Sequence, residues 1–351
     1  MCRVRQAVYS SRQGSAGQGS GEGKQLTGFS KTLKEQWFLL GLLAIAGLTL
    51  MDGTGVLAGG GKWLKVHHGP DGVIGLIFFM SGLILNREEI RSGLGDVRGT
   101  LAAIATITLL APIAAVALNL LPLAPGLRIG LFLTAVMPTT LTSGVVMTGA
   151  AGGNMAHALL ITLLSNGIGV VTVPFSLSLL LGIGKELEAV PIDRWAMMVQ
   201  IASLVLAPLL LGIALRPRRD SLLGTLRKAV PIINQGLVLA ILWMAFSEAR
   251  SSVIGGGAQI VVVLLLSSVF HALLVAGALV VSKTIKLGPG RRESVVFMGG
   301  QKTLPLSILI QTTLFPQYGL ALAFCVVHHF VHLIMDGYLV NWFRKRPRTK
   351  G

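Results

Sequence analysis

The stretch MPTTLTSG, Met137 to Gly144, interrupts an apolar run in the first half of the chain, and GGQKTLPLS, Gly299 to Ser307, interrupts one in the second half. Each combines a proline with glycine and hydroxyl side chains. Pro138 and Pro305 are each expected to deprive a helical turn of a backbone hydrogen bond. At bilayer depth a freed backbone group must be satisfied again, or it must line a cavity where a ligand can meet it. Taken singly, either stretch reads as an ordinary membrane-helix kink. Their matching places, each in the fourth apolar run of its half, point instead to two discontinuous helices that meet at mid-membrane and build a polar site from half-helix ends.

Outward from these stretches, apolar runs long enough to cross or nearly cross a bilayer lie near 37–51, 71–86, 99–121, 127–149, 154–183, 195–215, 230–247, 258–282, 293–313 and 317–340. Ten spans divide into five and five, and an odd number per half makes the second half enter the membrane in the opposite direction. The expected fold is therefore an all-α polytopic membrane protein of about ten transmembrane helices, arranged as two inverted five-helix repeats whose broken fourth and ninth helices cross. A transmembrane transporter domain over 36–343 holds repeat one, about 37–183, and repeat two, about 195–340. Residues 1–35 read as a disordered cytoplasmic tail, polar and Gly/Ser-rich without the apolar core of a signal peptide, and 344–351 as a basic cytoplasmic tail.

Charge supports this reading independently. Only 13% of the 351 residues are charged and 52% are hydrophobic, far from a water-soluble exterior. The net charge of +16 would suggest a nucleic-acid partner in a soluble protein, but the basic residues here flank apolar runs. Of 30 Lys and Arg, 23 fall in the tails and the loops on the side of both termini, against 6 in the opposite loops. Basic residues mark cytoplasmic loops, so both termini are expected in the cytoplasm, with anionic lipid as the partner of the basic segments. The expected location is an integral, multi-pass protein of a bacterial inner (plasma) membrane. Cys2 and Cys325 are too few and too far apart for a disulfide framework or a metal clip.

The chain resembles the bile acid:sodium symporter superfamily, most closely the member-seven branch of solute carrier family ten and its bacterial relatives. The segments that carry the likeness are FFMSGLIL (Phe78 to Leu85), MPTTLTSGVVMTGAAGGN (Met137 to Asn154), the proline-bearing run around Thr172–Pro174, and GGQKTLPLS. The resemblance implies ten helices in a panel and a core domain, unwound fourth and ninth helices, and alternating access by movement of one domain against the other. It also implies departures from sodium-coupled members, which carry Glu, Gln and Asn in the ninth-helix break. Gln301 matches, Lys302 stands in the Asn position, Phe297 in the Glu position, and Gly144 follows Ser143 where the fourth-helix break has Asn. Thr162, counted from Asn154, falls where sodium-site hydroxyls lie in that superfamily, and His329 where it often has a His. One hydroxyl without a carboxylate makes a weak cation site.

Lys302 is the sharpest single signal, because a charge at bilayer depth is costly unless paired or facing a polar cavity. Its ammonium can replace a bound cation, carry a proton, or act as a purely structural clamp on carbonyls at helix ends. In the last span His328, His332 and Asp336 share one helix face at four-residue spacing, with His329 turned elsewhere. No second ligand cluster closes a metal site there, and hydrogen bonding across helices or a proton relay accounts for the pattern. Asn166, Asn234 and Gln235 are intramembrane amides suited to a pathway lining or to interhelical bonds. Glu248 and Glu293 sit at span ends. The candidate substrate- or ion-binding residues are thus Pro138, Thr139, Thr142, Ser143, Asn154, Thr162, Gln301, Lys302, Thr303, Pro305 and His329, with no catalytic or metal-binding residue among them.

The function these features suggest is secondary transport of a small organic anion, with no cofactor and with Na⁺ or H⁺ as coupling ion. Two alternatives use the same features: a membrane regulator of ion or calcium homeostasis that transports nothing, and a His-dependent membrane enzyme. The expectation is a non-enzyme, since no aqueous domain or recognised catalytic constellation is present in the sequence.

Overall fold

The computed structural model describes residues 37–38, 40–85, 91, 93–183, 192–255 and 259–345. Among these, the regular elements are all helices: α1 (Leu40–Leu50), α2 (Val56–Val66), α3 (Gly69–Ile84), α4 (Val97–Leu118), α5 (Pro125–Val136), α6 (Ser143–Ala150), α7 (Met155–Ile183), α8 (Arg194–Ala214), α9 (Asp220–Gly255), α10 (Gln259–Thr284), α11 (Arg291–Gly300), α12 (Leu304–Leu314) and α13 (Gly319–Lys345). Six of them, α4, α7, α8, α9, α10 and α13, are long and apolar enough to cross a membrane. The chain is an all-α polytopic membrane protein. Each apolar run has its helix, with the fourth divided into α5 and α6 and the ninth into α11 and α12. The expected N-terminal tail and residues 346–351 lie outside the described residues.

Helix starts follow side-chain chemistry. Asp96 Oδ1 accepts from Gly99 N at 2.9 Å ahead of α4, and Asp193 Oδ1 accepts from Trp195 N and Ala196 N at 3.0 Å ahead of α8. Asp52, in the turn before α2, takes the Thr54 hydroxyl at 2.7 Å and the amides of Thr54, Gly55 and Ala58. The Thr54 hydroxyl and then the Ala58 amide hold its carboxyl down at about 2.

Helix α2 lies between the first two apolar runs, in a segment with three consecutive glycines and two lysines that the sequence reading counts among the loops. Those glycines are what packing uses. A Cβ on Gly61 would strike the Ser247 side chain of α9, and Trp243 Nε1 donates to Leu57 O at 3.1 Å. Close backbone approach to α9 thus makes a helix of a segment with poor intrinsic propensity. The same device joins α3 and α8: a Cβ on Gly82 would meet Leu209 O, and one on Gly212 would meet Phe79 O.

The elements α4 to α7 and α10 to α13 surround the two helix interruptions. At one end of this group Arg291, at the start of α11, forms a two-pronged ion pair with Asp96, through Nε to Oδ2 at 2.6 Å and through Nη2 to Oδ1. His157 Nε2 lies 3.2 Å from Thr100 Oγ1 beside them. Burial pushes the Asp96 carboxyl up, but the Arg291 bond and the Gly99 amide outweigh it and leave it below the ordinary carboxylate value. A lowered native value stabilises the fold above the unfolded-state value, about 3.9, and that contribution is lost as pH falls through the native value. Thermal unfolding should therefore show wild-type stability dropping below about pH 4, with Asp96→Asn less stable at neutral pH and flatter on acidification. Superimposable curves for the two proteins would contradict this.

Candidate functional site

Helix α5 stops at Val136 because Met137 precedes Pro138 and takes an extended conformation, φ −65° and ψ 145°, rather than a helical one. The chain stays irregular to Thr142, and α6 begins at Ser143. In the second half α11 ends at Gly300, Gln301 is extended with φ −82° and ψ 146°, and α12 begins at Leu304. Pro305 differs from expectation in its action. It occupies the first turn of α12, where its missing N–H has no helical partner to lose, so it starts a helix and the Gly299–Gly300 pair ends one. The two interruptions touch: Thr303 N donates to Pro138 O at 2.9 Å.

Lys302 is 2% exposed and its Nζ donates to three backbone carbonyls, Ile107 O, Ala135 O and Met137 O, each at 3.0 Å. All three are orphans of local structure. Between Thr106 and Leu110 α4 widens into a π-turn, and Ala111 N bonds to Thr106 O instead of Ile107 O. The next residue, Pro112, has no N–H, so Ile107 O is left without a helical donor. Ala135 and Met137 belong to the carbonyl end of α5, where the helix dipole is negative. An ammonium has three N–H groups and here finds three acceptors, a geometry suited to the charged form. A Cβ on Gly299 would strike the Thr106 side chain, so glycine there lets α11 approach the π-turn.

Gln301 is the second bridge. Its Oε1 accepts from Thr140 Oγ1 at 2.9 Å and from Ser143 Oγ at 2.8 Å, both in the first interruption. Its Nε2 donates to Asp336 Oδ2 of α13 at 2.7 Å. Thr140 Oγ1 also accepts from Gly144 N at 3.1 Å and thereby holds the start of α6. From α7, Thr162 Oγ1 reaches Thr140 O at 3.4 Å and Asn166 Nδ2 reaches Thr139 O at 3.4 Å. Two buried oxygens here, Thr139 Oγ1 and Asn166 Oδ1, have no hydrogen-bond partner.

The structure thus brings Pro138, Thr139, Ser143, Thr162, Gln301, Lys302, Thr303 and Pro305 together. Thr142, partly exposed, precedes α6 without a side-chain cap bond. His329 comes from α13, with Nδ1 2.9 Å from His332 Nε2 and an interaction with the Lys302 backbone. Asn154 stands apart. It is exposed, caps α7 through Oδ1 to His157 N at 3.1 Å, and binds Gly290 and Ser294 near the start of α11, a helix length of about 15 Å from the break. Phe297 packs on Phe343 with ring centroids 5.8 Å apart. Asn234 bonds Ser81 Oγ at 2.8 Å between α9 and α3. Thr140, Asp336 and His271 were not singled out as site residues. An ionisable residue inside each of two long apolar helices was the available signal for the last two. No group of three or more His, Cys, Asp or Glu among the described residues could hold a metal ion.

The profile of the SBF-like CPA transporter family matches residues 36–345, almost the whole chain and both interruptions. The chain belongs to the SBF-like CPA transporter family. A rice protein (Oryza sativa subsp. indica) named probable sodium/metabolite cotransporter BASS4, chloroplastic, is 29% identical over 356 residues, covering 96% of this chain and 81% of its own. The putative symporter YfeH of Escherichia coli K12 is 26% identical over 284 residues, 78% of this chain and 83% of its own. Sodium/bile acid cotransporter 7 of Xenopus tropicalis is 24% identical over 341 residues, 92% of this chain and 96% of its own. Family membership also places the chain in the bile acid:sodium symporter superfamily.

Proposed function

We propose that this chain is a symporter-type secondary carrier of an organic anion, working by alternating access, with the ammonium of Lys302 standing in for a bound cation. The observation that carries this is the set of three backbone carbonyls at 3.0 Å around Lys302 Nζ, where both interruptions meet. Oxygen ligands of this kind coordinate hard cations, and here a tethered ammonium occupies them permanently. Of the two functional roles open to Lys302, the fixed cation is the better supported, because a neutral amine would turn a lone pair on a carbonyl. The positive charge held at the junction favours an anionic substrate nearby, and the buried, unpartnered oxygens of Thr139 and Asn166 offer polar contacts there.

In this reading the halves are inverted repeats, both termini face the cytoplasm of a bacterial inner membrane, and the long, lipid-facing helices move against the group that holds the interruptions. A C-terminal reporter active only outside the cell would overturn the orientation. The function is tested by uptake into proteoliposomes of radiolabelled organic anions, a bile acid such as taurocholate and simple mono- and dicarboxylates among them. Accumulation of an unmodified anion is expected. Chemical conversion of the anion would show an enzyme, and movement of none of them would leave a non-transporting regulator.

A further inference from the structure

Asp336 is unlike the other five aspartates of the sequence, all of which stand at helix starts: Asp52, Asp96 and Asp193 in the turn before a helix, Asp71 and Asp220 in a first turn. It lies inside α13 at 1% exposure, with Oδ1 3.0 Å from Nε2 of His271, itself wholly buried in α10. His271 therefore donates from Nε2, and its Nδ1 has no hydrogen-bond partner. The titratable groups around the pair are His328 and His332 of α13, whose rings lie 5.9 Å from that of His271, Tyr338 of α13, which lines the same cleft, and Lys302, next to Gln301 in the second interruption. His332 is in turn bonded to His329 at 2.9 Å. Among the described residues, the other helices packed on α13 bring no ionised side chain into hydrogen-bond or ion-pair contact with the pair.

A carboxylate beside a neutral imidazole gives the pair a net negative charge, held by the Gln301 amide, in a medium where charge is costly. One proton added at His271 Nδ1 converts the pair into an imidazolium carboxylate of zero net charge, with no other bond made or broken. We infer that the His271–Asp336 pair is a proton-binding site and that H⁺ is the coupling ion of the carrier. The pair lies at the floor of an open, mostly apolar cleft. This cleft, of about 540 Å³, is lined by His271, Val275, Leu279, Asp336, Leu339 and Trp342, and follows α10 and α13 from the pair toward their C-terminal ends. The transmission path is Gln301, which holds Asp336 with its amide nitrogen and the first interruption with its carbonyl oxygen. Charging His271 draws the Asp336 carboxylate toward the imidazolium, which weakens its pull on that amide and loosens the tie across both interruptions.

The coupling role rests on the carrier reading, but the binding of the proton does not. The test uses the full chain in lipid with ¹⁵N-labelled histidine and ¹³C-labelled aspartate, the His271 signal being assigned by magnetisation transfer from the Asp336 carboxyl carbon. Across the pH range in which the protein stays folded, His271 should pass from one bare and one protonated ring nitrogen to two protonated ones. In Asp336→Asn, with His271 located by loss of its signal in His271→Gln, the same change should require a proton concentration at least tenfold higher. A bare Nδ1 throughout in the wild type overturns the site, and that reading stands even if neither variant folds. For coupling, a pH-sensitive dye trapped in proteoliposomes should report proton entry with any anion that is taken up. Anion uptake without proton entry overturns coupling alone, whereas absence of uptake overturns the carrier reading and leaves the proton site to the spectra.

Discussion

Lys302→Met should abolish transport and lower the stability of the folded protein by about 3–5 kcal/mol, the range for removing one partner of a buried charged interaction. The thioether fills the volume of the lysine stem, so the loss isolates the ammonium. Three carbonyls, Ile107 O, Ala135 O and Met137 O, would lose their donor, one at a π-turn before a proline and two at the negative end of a half-helix. Lys302→Arg should fail as well, although it keeps the charge, because a planar fork cannot direct donors to three converging oxygens. Lys302→Asn moves the position toward the pattern that the resemblance implies for sodium-coupled members but supplies no carboxylate at Phe297, and it should fold yet stay inactive unless Phe297→Glu is added. Thermal unfolding and uptake, read together from about pH 6 to about pH 8, decide the matter. A Lys302→Met or Lys302→Ala protein with wild-type stability and wild-type rate over that range would remove Lys302 from the mechanism altogether.

Gln301→Leu is the second large effect. It leaves Asp336 Oδ2, Thr140 Oγ1 and Ser143 Oγ without their shared partner, at about 1–3 kcal/mol for each buried group that finds no other. Transport should fall at least a hundredfold, since a side chain that joins both interruptions to α13 is gone. Gln301→Glu should be the more informative variant, because it keeps the shape but sets a second carboxylate against Asp336, and like charges at hydrogen-bond distance cannot both ionise. It should recover activity only under acidic conditions. Equal activity of Gln301→Glu and wild type at every pH would show that this contact carries no coupling.

Much of this was legible in the sequence because the bilayer imposes so few solutions. Runs of apolar residues separated by Lys and Arg must be helices, and the pairing of MPTTLTSG with GGQKTLPLS located both interruptions to within a few residues. Lys302 stood out for the same reason: a charge at that depth requires partners. What the sequence did not disclose was which partners. Ile107 O becomes available only because a π-turn precedes Pro112, and nothing in TITLLAP announces a π-turn. From sequence Pro305 reads as a helix breaker, whereas the structure makes it a helix starter, a distinction that depends on whether the turn before it is already lost to Gly299 and Gly300. Helix α2 is not legible in the sequence, because its glycines lower helix propensity locally while permitting contact with α9. His271, a single imidazole in a largely apolar span, carries a signal in the sequence, but its partner Asp336 is fixed only by the packing of α10 on α13.

A cation fixed at the junction makes transport independent of sodium. Wild-type protein in proteoliposomes, supplied with an anion that it takes up, should transport it at the same initial rate with Na⁺ present or replaced by choline at constant ionic strength, because the cation the junction needs is already attached at Lys302. An inward Na⁺ gradient should add nothing. Uptake that rises steeply and saturably with Na⁺, and that neither choline nor K⁺ can support, would show that the oxygens of Ser143, Thr162 and Gln301 bind sodium after all and that Lys302 is only a clamp between two broken helices.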